Sequence, residues 1–407
     1  MGQSPESEDC NQDQEGIPFL QGNADFSCMN PVPSVWCEHP NKFSEKDDVL
    51  LSVRAPVGAV NIADQTYGIG RGLCSIRPKH SHKKYLYYKT LCLADELNRM
   101  ATGSTYNAVS VEQVNNVLVP NPDSEEQENI ATYLDRKTEQ IDDLIAKKEP
   151  MIELLKEERT AIINQAVTKG LDLHVEMKDT GIEWLGKIPK HWQIRKLKYV
   201  LISNKGSLKT GPFGSQLKQS DMQGSDVKIY NQRSVIDNDF DSNDLYISND
   251  KFDELREFEI FPDDILLTTR GTIGRCAIFP KNKDRGVLHP CLIRIQLNQN
   301  IILNRFTQYF IQDAQSFYES VKYISDATTI NVIYGEKLRD VIFVIPDRSE
   351  QYRIVDFLDD KTAQISARVM KEQKVIDLLK EYRTALISEV VTGKIDVRSM
   401  RSEQYNQ

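Results

Sequence analysis

Leu154-Leu155-Lys156-Glu157-Glu158-Arg159-Thr160-Ala161 comes back, with one change, as Leu378-Leu379-Lys380-Glu381-Tyr382-Arg383-Thr384-Ala385. Working outward, residues 123–172 fall on residues 347–396 at a shift of 224, without a gap and with 23 of 50 positions identical. Asp123, Glu126, Gln127, Ile130, Leu134 and Asp135 return as Asp347, Glu350, Gln351, Ile354, Leu358 and Asp359; Lys137, Thr138, Gln140 and Ile141 return as Lys361, Thr362, Gln364 and Ile365. A repeat of this length governs how every local motif is read.

The repeated stretch is nearly free of glycine, and its apolar residues recur every three to four positions, which predicts a long helix. Leu134, Ile141, Leu155 and Ile162 share one heptad position, broken by Lys148, and Leu358, Ile365, Leu379 and Leu386 share it in the second copy, broken by Glu372. Ile130, Leu144 and Met151 fill the companion position, matched by Ile354 and Val375. So narrow a seam needs a partner helix. The spacing therefore predicts that the copies pair with each other as an antiparallel coiled coil rather than lying as two separate surface helices. About 40 helical residues span roughly 60 Å. Pro150 stands where the second copy has Lys374. An interior proline loses a ladder hydrogen bond, so a kink or short break is expected near residues 147–150.

The chain has 407 residues and a net charge of −9, with 40% hydrophobic and 27% charged residues, an ordinary balance for a globular protein of two to four domains. It contains no apolar run long enough for a membrane span and no signal-like start. Its seven cysteines form no Cys-x-x-Cys pair, which predicts reduced thiols and a cytoplasmic setting. The charge is unevenly placed. Residues 123–169 hold 12 acids against 7 bases, whereas residues 187–218 hold eight Lys or Arg and no acid. That basic stretch is a candidate for phosphates, or else a solvated face.

Two globular segments alternate with the helices, and they resemble each other faintly. Asp47-Asp48-Val49-Leu50-Leu51-Ser52-Val53-Arg54 matches Asp263-Asp264-Ile265-Leu266-Leu267-Thr268-Thr269-Arg270, with Gly58 and Gly274 four residues on. Cys74-Ser75-Ile76-Arg77 parallels Cys291-Leu292-Ile293-Arg294, and Asn107 parallels Asn331. Both segments read as mixed α and β: a turn entering a buried strand at each Asp-Asp, final strands at Leu118-Val119 and Ile342–Ile345, and one amphipathic helix over 302–320. Gly68-Ile69-Gly70-Arg71-Gly72 reads as a turn, and Gly211-Pro212-Phe213-Gly214-Ser215 as a loop. The second segment is preceded by Gly181–Trp192 and a basic apolar stretch to Leu208. Gly2-Gln3-Ser4-Pro5 sits at the level of Gly211-Pro212, so the repeat leads us to expect roughly 25 further residues at the front edge of the first segment.

Catalytic signals are poor. There is no Gly-x-x-x-x-Gly-Lys phosphate loop, no His-Glu-x-x-His and no Gly-x-Ser-x-Gly. The histidines, among them His80, His82 and His289, have no ligand spacing, so no metal is expected. Asp47/Asp48 and Asp263/Asp264 invite a nuclease reading, but metal-dependent phosphodiester cleavage needs more carboxylates around the cation; a structural turn is favoured. Binding signals are better. Arg54 pairs with Arg270 and Arg77 with Arg294, and Arg71, Lys205, Lys209, Lys218, Arg233 and Arg275 add positive charge; arginine suits both guanine edges and phosphates. The globular segments have diverged while the helices stayed alike, a pattern that suits two readers of different base sequences on one scaffold. A coiled-coil adaptor is the alternative, but it would need no such arginine-bearing segments.

At this point the chain resembles the specificity subunits of type I restriction–modification systems. The resemblance covers nearly the whole length. It rests on the alternating order, on Ser-Glu-Gln-x-x-Ile-x-x-(Phe/Tyr)-Leu-Asp-x-Lys-Thr at 349–362 and its counterpart at 124–138, on the Leu-Leu-Lys-Glu-x-Arg-Thr-Ala stretches, on Gly181–Pro189, and on Gly211–Ser215. It implies an α+β chain: target-recognition domains over 1–122 and 173–346, conserved helices over 123–172 and 347–396 that pair antiparallel about a pseudo-two-fold axis, and a tail at 397–407. It also implies no catalysis and no cofactor in the subunit itself. Its partners would be double-stranded DNA, two modification (methyltransferase) subunits that bind S-adenosylmethionine, and restriction subunits that add ATP-driven translocation and cleavage. The front edge and Pro150 depart from the family pattern.

Overall fold

The computed structural model describes residues 1–101, 108–242, 244–325 and 332–398. The two expected helices are present as Ser124–Lys169 and Arg348–Val391. Pro150 lies inside the first without interrupting it, so the short break expected near 147–150 is absent. Proline removes one ladder donor, and intact turns on either side carry the helix past it.

The chain divides into two compact units, Met1–Pro150 with Glu372–Gln407, and Met151–Lys371. Each unit thus combines one globular segment with part of both long helices. In the first, Ile130, Ala131, Leu134 and Ile141 share a core with Leu386, Ile387, Val390 and Val391. Lys148 pairs with Glu372 and Asp142 with Arg383, so the partner's numbers rise as the first helix's fall, and the pairing is antiparallel. In the second unit Ile163, Ala166 and Val167 share a core with Ile354, Val355 and Leu358. Of the predicted seam, Leu134, Ile141, Leu155, Leu358, Ile365 and Leu386 are buried; Ile162 and Leu379 are partly buried and packed on the cores. The companion positions depart from expectation: Ile354 is buried, but Leu144 and Met151 remain 47% and 38% exposed.

The globular segments follow one plan. In the first unit Val49–Ser52 lies between Val60–Ile62 and Leu73–Ile76, all antiparallel. In the second, Ile265–Thr268 lies between Cys276–Ile278 and Leu292–Ile295, and Leu208–Thr210 adds an outer strand. A second sheet in each contains one parallel pair, Ile17–Leu20 on Tyr67–Ile69 and Val227–Tyr230 on Gly286–Leu288. Gly2 donates its N–H to Leu73 O and Gly211 to Leu292 O, each at 2.9 Å, so those two glycines are structural equivalents.

Of three local expectations, two change and the strand at Ile342–Ile345 holds. Residues 302–320 form two helices, Asn304–Gln312 and Gln315–Ser325, rather than one. Ile342–Ile345 is a strand against Gln193–Lys196. Leu118-Val119 is not a strand, and Leu118 is 92% exposed; Pro120, with no N–H, stands where the second copy has Val344. Asn107 and Asn331 lie outside the described residues.

Candidate nucleic-acid interface

The residues kept in both helix copies fasten each globular segment to its helix. Gln127 Oε1 accepts the N–H of His82 at 2.8 Å, and its Nε2 donates to Pro122 O at 2.9 Å. Gln351 does the same with Leu303 N at 2.8 Å and Pro346 O at 3.0 Å. Asp135 receives Lys84 and the Tyr88 hydroxyl, and Thr138 Oγ1 lies 3.1 Å from that hydroxyl. In the second unit Asp359 receives Arg305 and the Tyr309 hydroxyl, with Thr362 Oγ1 at 3.2 Å. Burial pushes both tyrosine hydroxyls up, so they stay protonated donors. The Asp and Thr of the repeated Asp-x-Lys-Thr run are therefore explained by a polar clasp on a buried tyrosine, which the seam pattern alone does not show.

The Asp-Asp pairs are turns, as expected. Asp47 and Asp263 take positive φ, 71° and 69°. Asp48 Oδ2 accepts the N–H of Glu45 at 2.9 Å, and Asp264 Oδ2 accepts that of Phe261 at 2.8 Å. Both carboxylates are buried inside the protein, which removes them as metal ligands for a nuclease.

Their partners overturn one sequence pairing. Strand register places Ser75 opposite Leu50 and Arg294 opposite Leu266, so Arg294 is the counterpart of Ser75, not of Arg77. Arg77 bonds Asp48 at 3.1 Å through both Nε and Nη2 and also reaches Glu45. In the second unit that place is taken by Gln296, which donates to Asp264 Oδ1 at 2.8 Å. Arg294 is 4% exposed, its Nε is 3.8 Å from Asp264, and it donates to the carbonyls of Glu259 and Gly206. Arg294 is thus corrected from a candidate DNA contact to a core residue, and Arg77 holds a turn.

The other candidates separate by partner. Lys209 pairs with Glu257, Arg233 with Asp237 and Arg71 Nε with Ser4 Oγ. Of the basic stretch 187–218, Lys190, Lys196, Lys198 and Lys209 are neutralised by Glu176, Asp340 and Glu257, acids the local charge count does not include. Arg54, Lys205, Lys218, Arg270 and Arg275 are exposed, and among the described residues none has an acidic partner. Arg54 and Arg270 occupy the same place, at the end of the central strand, bridged to Ala108 and Val332. The hydroxyl of Ser52 ties the next loop by donating to Arg54 O and Pro56 O, and Thr268 donates to Thr272 O.

Sequence reasoning missed the surroundings of Arg270. Its guanidinium lies 5.4 Å from the centre of the Phe213 ring, and its carbonyl accepts Gln232 Nε2 at 2.7 Å. A cavity of about 760 Å³ opens there, with Thr269, Tyr334, Lys337 and Arg339 in its wall. Phe213 and Tyr334 are 48% and 62% exposed. The signal was an aromatic residue inside a Gly-Pro loop. A separate cluster joins His191, Asp347 and Glu350. There Glu350 Oε2 is 2.8 Å from both His191 Nε2 and Trp192 Nε1, and Asp347 caps the second long helix through the N–H of Glu350, so the group fastens the segment before Leu208 to that helix.

No helix among the described residues is long and apolar enough to cross a membrane. The chain is 35% identical over 170 residues to the putative type I restriction enzyme MjaX specificity subunit of Methanocaldococcus jannaschii, a match spanning 41% of this chain and 39% of that protein. It is 25% identical over 387 residues to the MjaIX specificity subunit of the same organism, covering 87% and 79%. A solved structure described as the basis of complex assembly and conformational transition of the type I R-M system matches with a TM-score of 0.72 at 15% identity, over 92% of this chain and 91% of that one, which establishes the shared fold. The family model described as the type I restriction modification DNA specificity domain matches residues 1–154 and 189–375, parts of both units, and the chain belongs to that family.

Proposed function

We propose that the chain is the non-catalytic subunit that sets the DNA sequence for a type I restriction–modification assembly, reading a two-part duplex target with one half-site per unit. The observation that carries this reading is the duplicated plan. Both units use the same Gln, Asp and Thr clasps and end the same strand in an arginine that has no acidic partner among the described residues, while the residues around that arginine differ. A shared mount with unlike surroundings suits two readers of different sequences. Antiparallel helices of this length suit half-sites about one helical turn, roughly 34 Å, apart. Phosphate contacts would supply most of the affinity and base contacts the sequence.

The partners proposed are two modification subunits docked on the long helices and restriction subunits beyond them. Residues kept in both copies yet exposed in both, among them Leu154, Lys156 and Glu157 with Leu378, Lys380 and Glu381, are the places to test for that docking. Methylome sequencing of the host with and without the gene is the direct test of the function. A two-part methylated motif that disappears with the gene supports it; an unchanged methylome rejects it.

A further inference from the structure

The two units differ in most surface residues, so an identity kept between them needs a reason. Over 47–62 and 263–278 the matched residues include Asp47, Asp48, Leu50, Leu51, Arg54, Gly58 and Ile62. Six of these seven have an internal role in both units. The first Asp makes the left-handed turn, and the second caps it. Leu50, Leu51, Leu266 and Leu267 are fully buried; Ile62 is buried and Ile278 packs on a core. Gly58 and Gly274 have φ of 97° and 79°, and a Cβ there would meet Ala94 at 2.7 Å or the Tyr318 hydroxyl at 2.6 Å. Arg54 and Arg270 are the exception. Both are exposed, and no acid holds either among the described residues.

Their neighbours have changed. Gly2 and Gly211 are equivalent, which sets Ser4 opposite Phe213. Ser4 accepts from Arg71 and exchanges hydrogen bonds with Gln21, whereas Phe213 lies under the Arg270 guanidinium. Tyr334 corresponds to Ser110 at the helix shift of 224, and Ser110 caps a short helix. A ligand common to both arginines must be something both half-sites possess. Two unlike half-sites share no required base, but both have a sugar–phosphate backbone, whose contacts position a protein without reading sequence.

We infer that Arg54 and Arg270 each grip a backbone phosphate of their own half-site, and that neither reads a base. The inference rests on the proposed function. In the second unit, base reading then falls to residues unlike their counterparts in the first, such as Phe213 and Tyr334 at the cavity wall.

The test uses the assembled complex and a duplex carrying the motif read from the host methylome. Arg54→Gln and Arg270→Gln should each weaken binding to target and non-target duplexes by the same factor. The slope of log affinity against log salt should fall by about 1 per arginine. The methylated motif should be unchanged at every position, and Arg270→Lys should restore most of the slope, since a phosphate accepts any nearby cation. A motif that relaxes at one base position, or a slope left unchanged, overturns the inference. A wild-type complex with no duplex binding rejects the proposed function instead.

Discussion

The strand Val49–Ser52 in the first unit and Ile265–Thr268 in the second are entered by the same turn, yet their buried carboxylates face opposite conditions. Burial raises Asp48, but hydrogen bonds from Arg77, Ser75 and the Glu45 N–H outweigh it, and its pKa lies below the ordinary 3.8. Burial raises Asp264 to about 6, and the Phe261 N–H, Gln296 and the charge of Arg294 offset only part of that. The difference is geometric. Arg77 bonds its carboxylate at 3.1 Å, whereas Arg294, itself desolvated, stays 3.8 Å away and spends its Nη donors on backbone carbonyls. A close, half-exposed arginine holds the charge that a more distant buried one does not. One fold position thus tolerates opposite electrostatics as long as the turn N–H is satisfied.

Four measurements test how far the two units are equivalent. The largest effect is expected where the units agree. Leu134→Ala and Leu358→Ala, both at fully buried helix positions, should each destabilise by roughly 2–5 kcal/mol in chemical denaturation. A large loss in one and none in the other would break the equivalence of the units.

Next comes pH. The folded chain binds the Asp264 proton more tightly than the unfolded chain does, so stability from this site is highest below the ordinary value of 3.8 and declines as pH rises through about 6. The change amounts to about 2–3 kcal/mol at most. Asp48 has the reverse sign: its contribution is present above 3.8 and is lost as pH falls through its lower folded value. Amide exchange should show Ile265–Thr268 losing protection between pH 4.5 and 7 while Val49–Ser52 does not. Asp264→Asn should remove the difference.

Gln351→Ala should follow, at about 1–3 kcal/mol, because it strands Leu303 N, Ile301 O and Pro346 O. Gln127→Ala should match or fall slightly below it, as Gln127 holds His82 N and Pro122 O. The smallest effect is expected at Leu118→Ser, within about 0.5 kcal/mol, since that side chain is 92% exposed. Ile342→Ser, at the matching place in a paired strand, should cost more. Equal losses would mean that Leu118 packs in solution.

The helices were legible because a seam of apolar residues at heptad spacing needs no tertiary knowledge. So was the doubled plan, since Asp-Asp-x-Leu-Leu-x-x-Arg marks one turn and one strand twice. What misled was anything set by distant partners. Arg77 and Arg294 look alike in sequence, but strand register shifts one against the other by two residues and sends them to different surroundings. The basic stretch 187–218 looked free until Glu176, Asp340 and Glu257 met it. The helix expected over 302–320 divides next to Asp313, whose carboxylate takes Arg159 at 2.7 and 3.2 Å, a contact spanning 154 positions. Phe213 gained its meaning only from Arg270, which no local pattern places above it.

Under the proposed function, each unit reads its own half of the target. The most direct test replaces residues 173–346 with the corresponding segment of another family member and reads the methylated motif in the host. One half of the motif should change while the other half and the spacing between them stay as they were. A motif altered in both halves, or one that does not change, would contradict it.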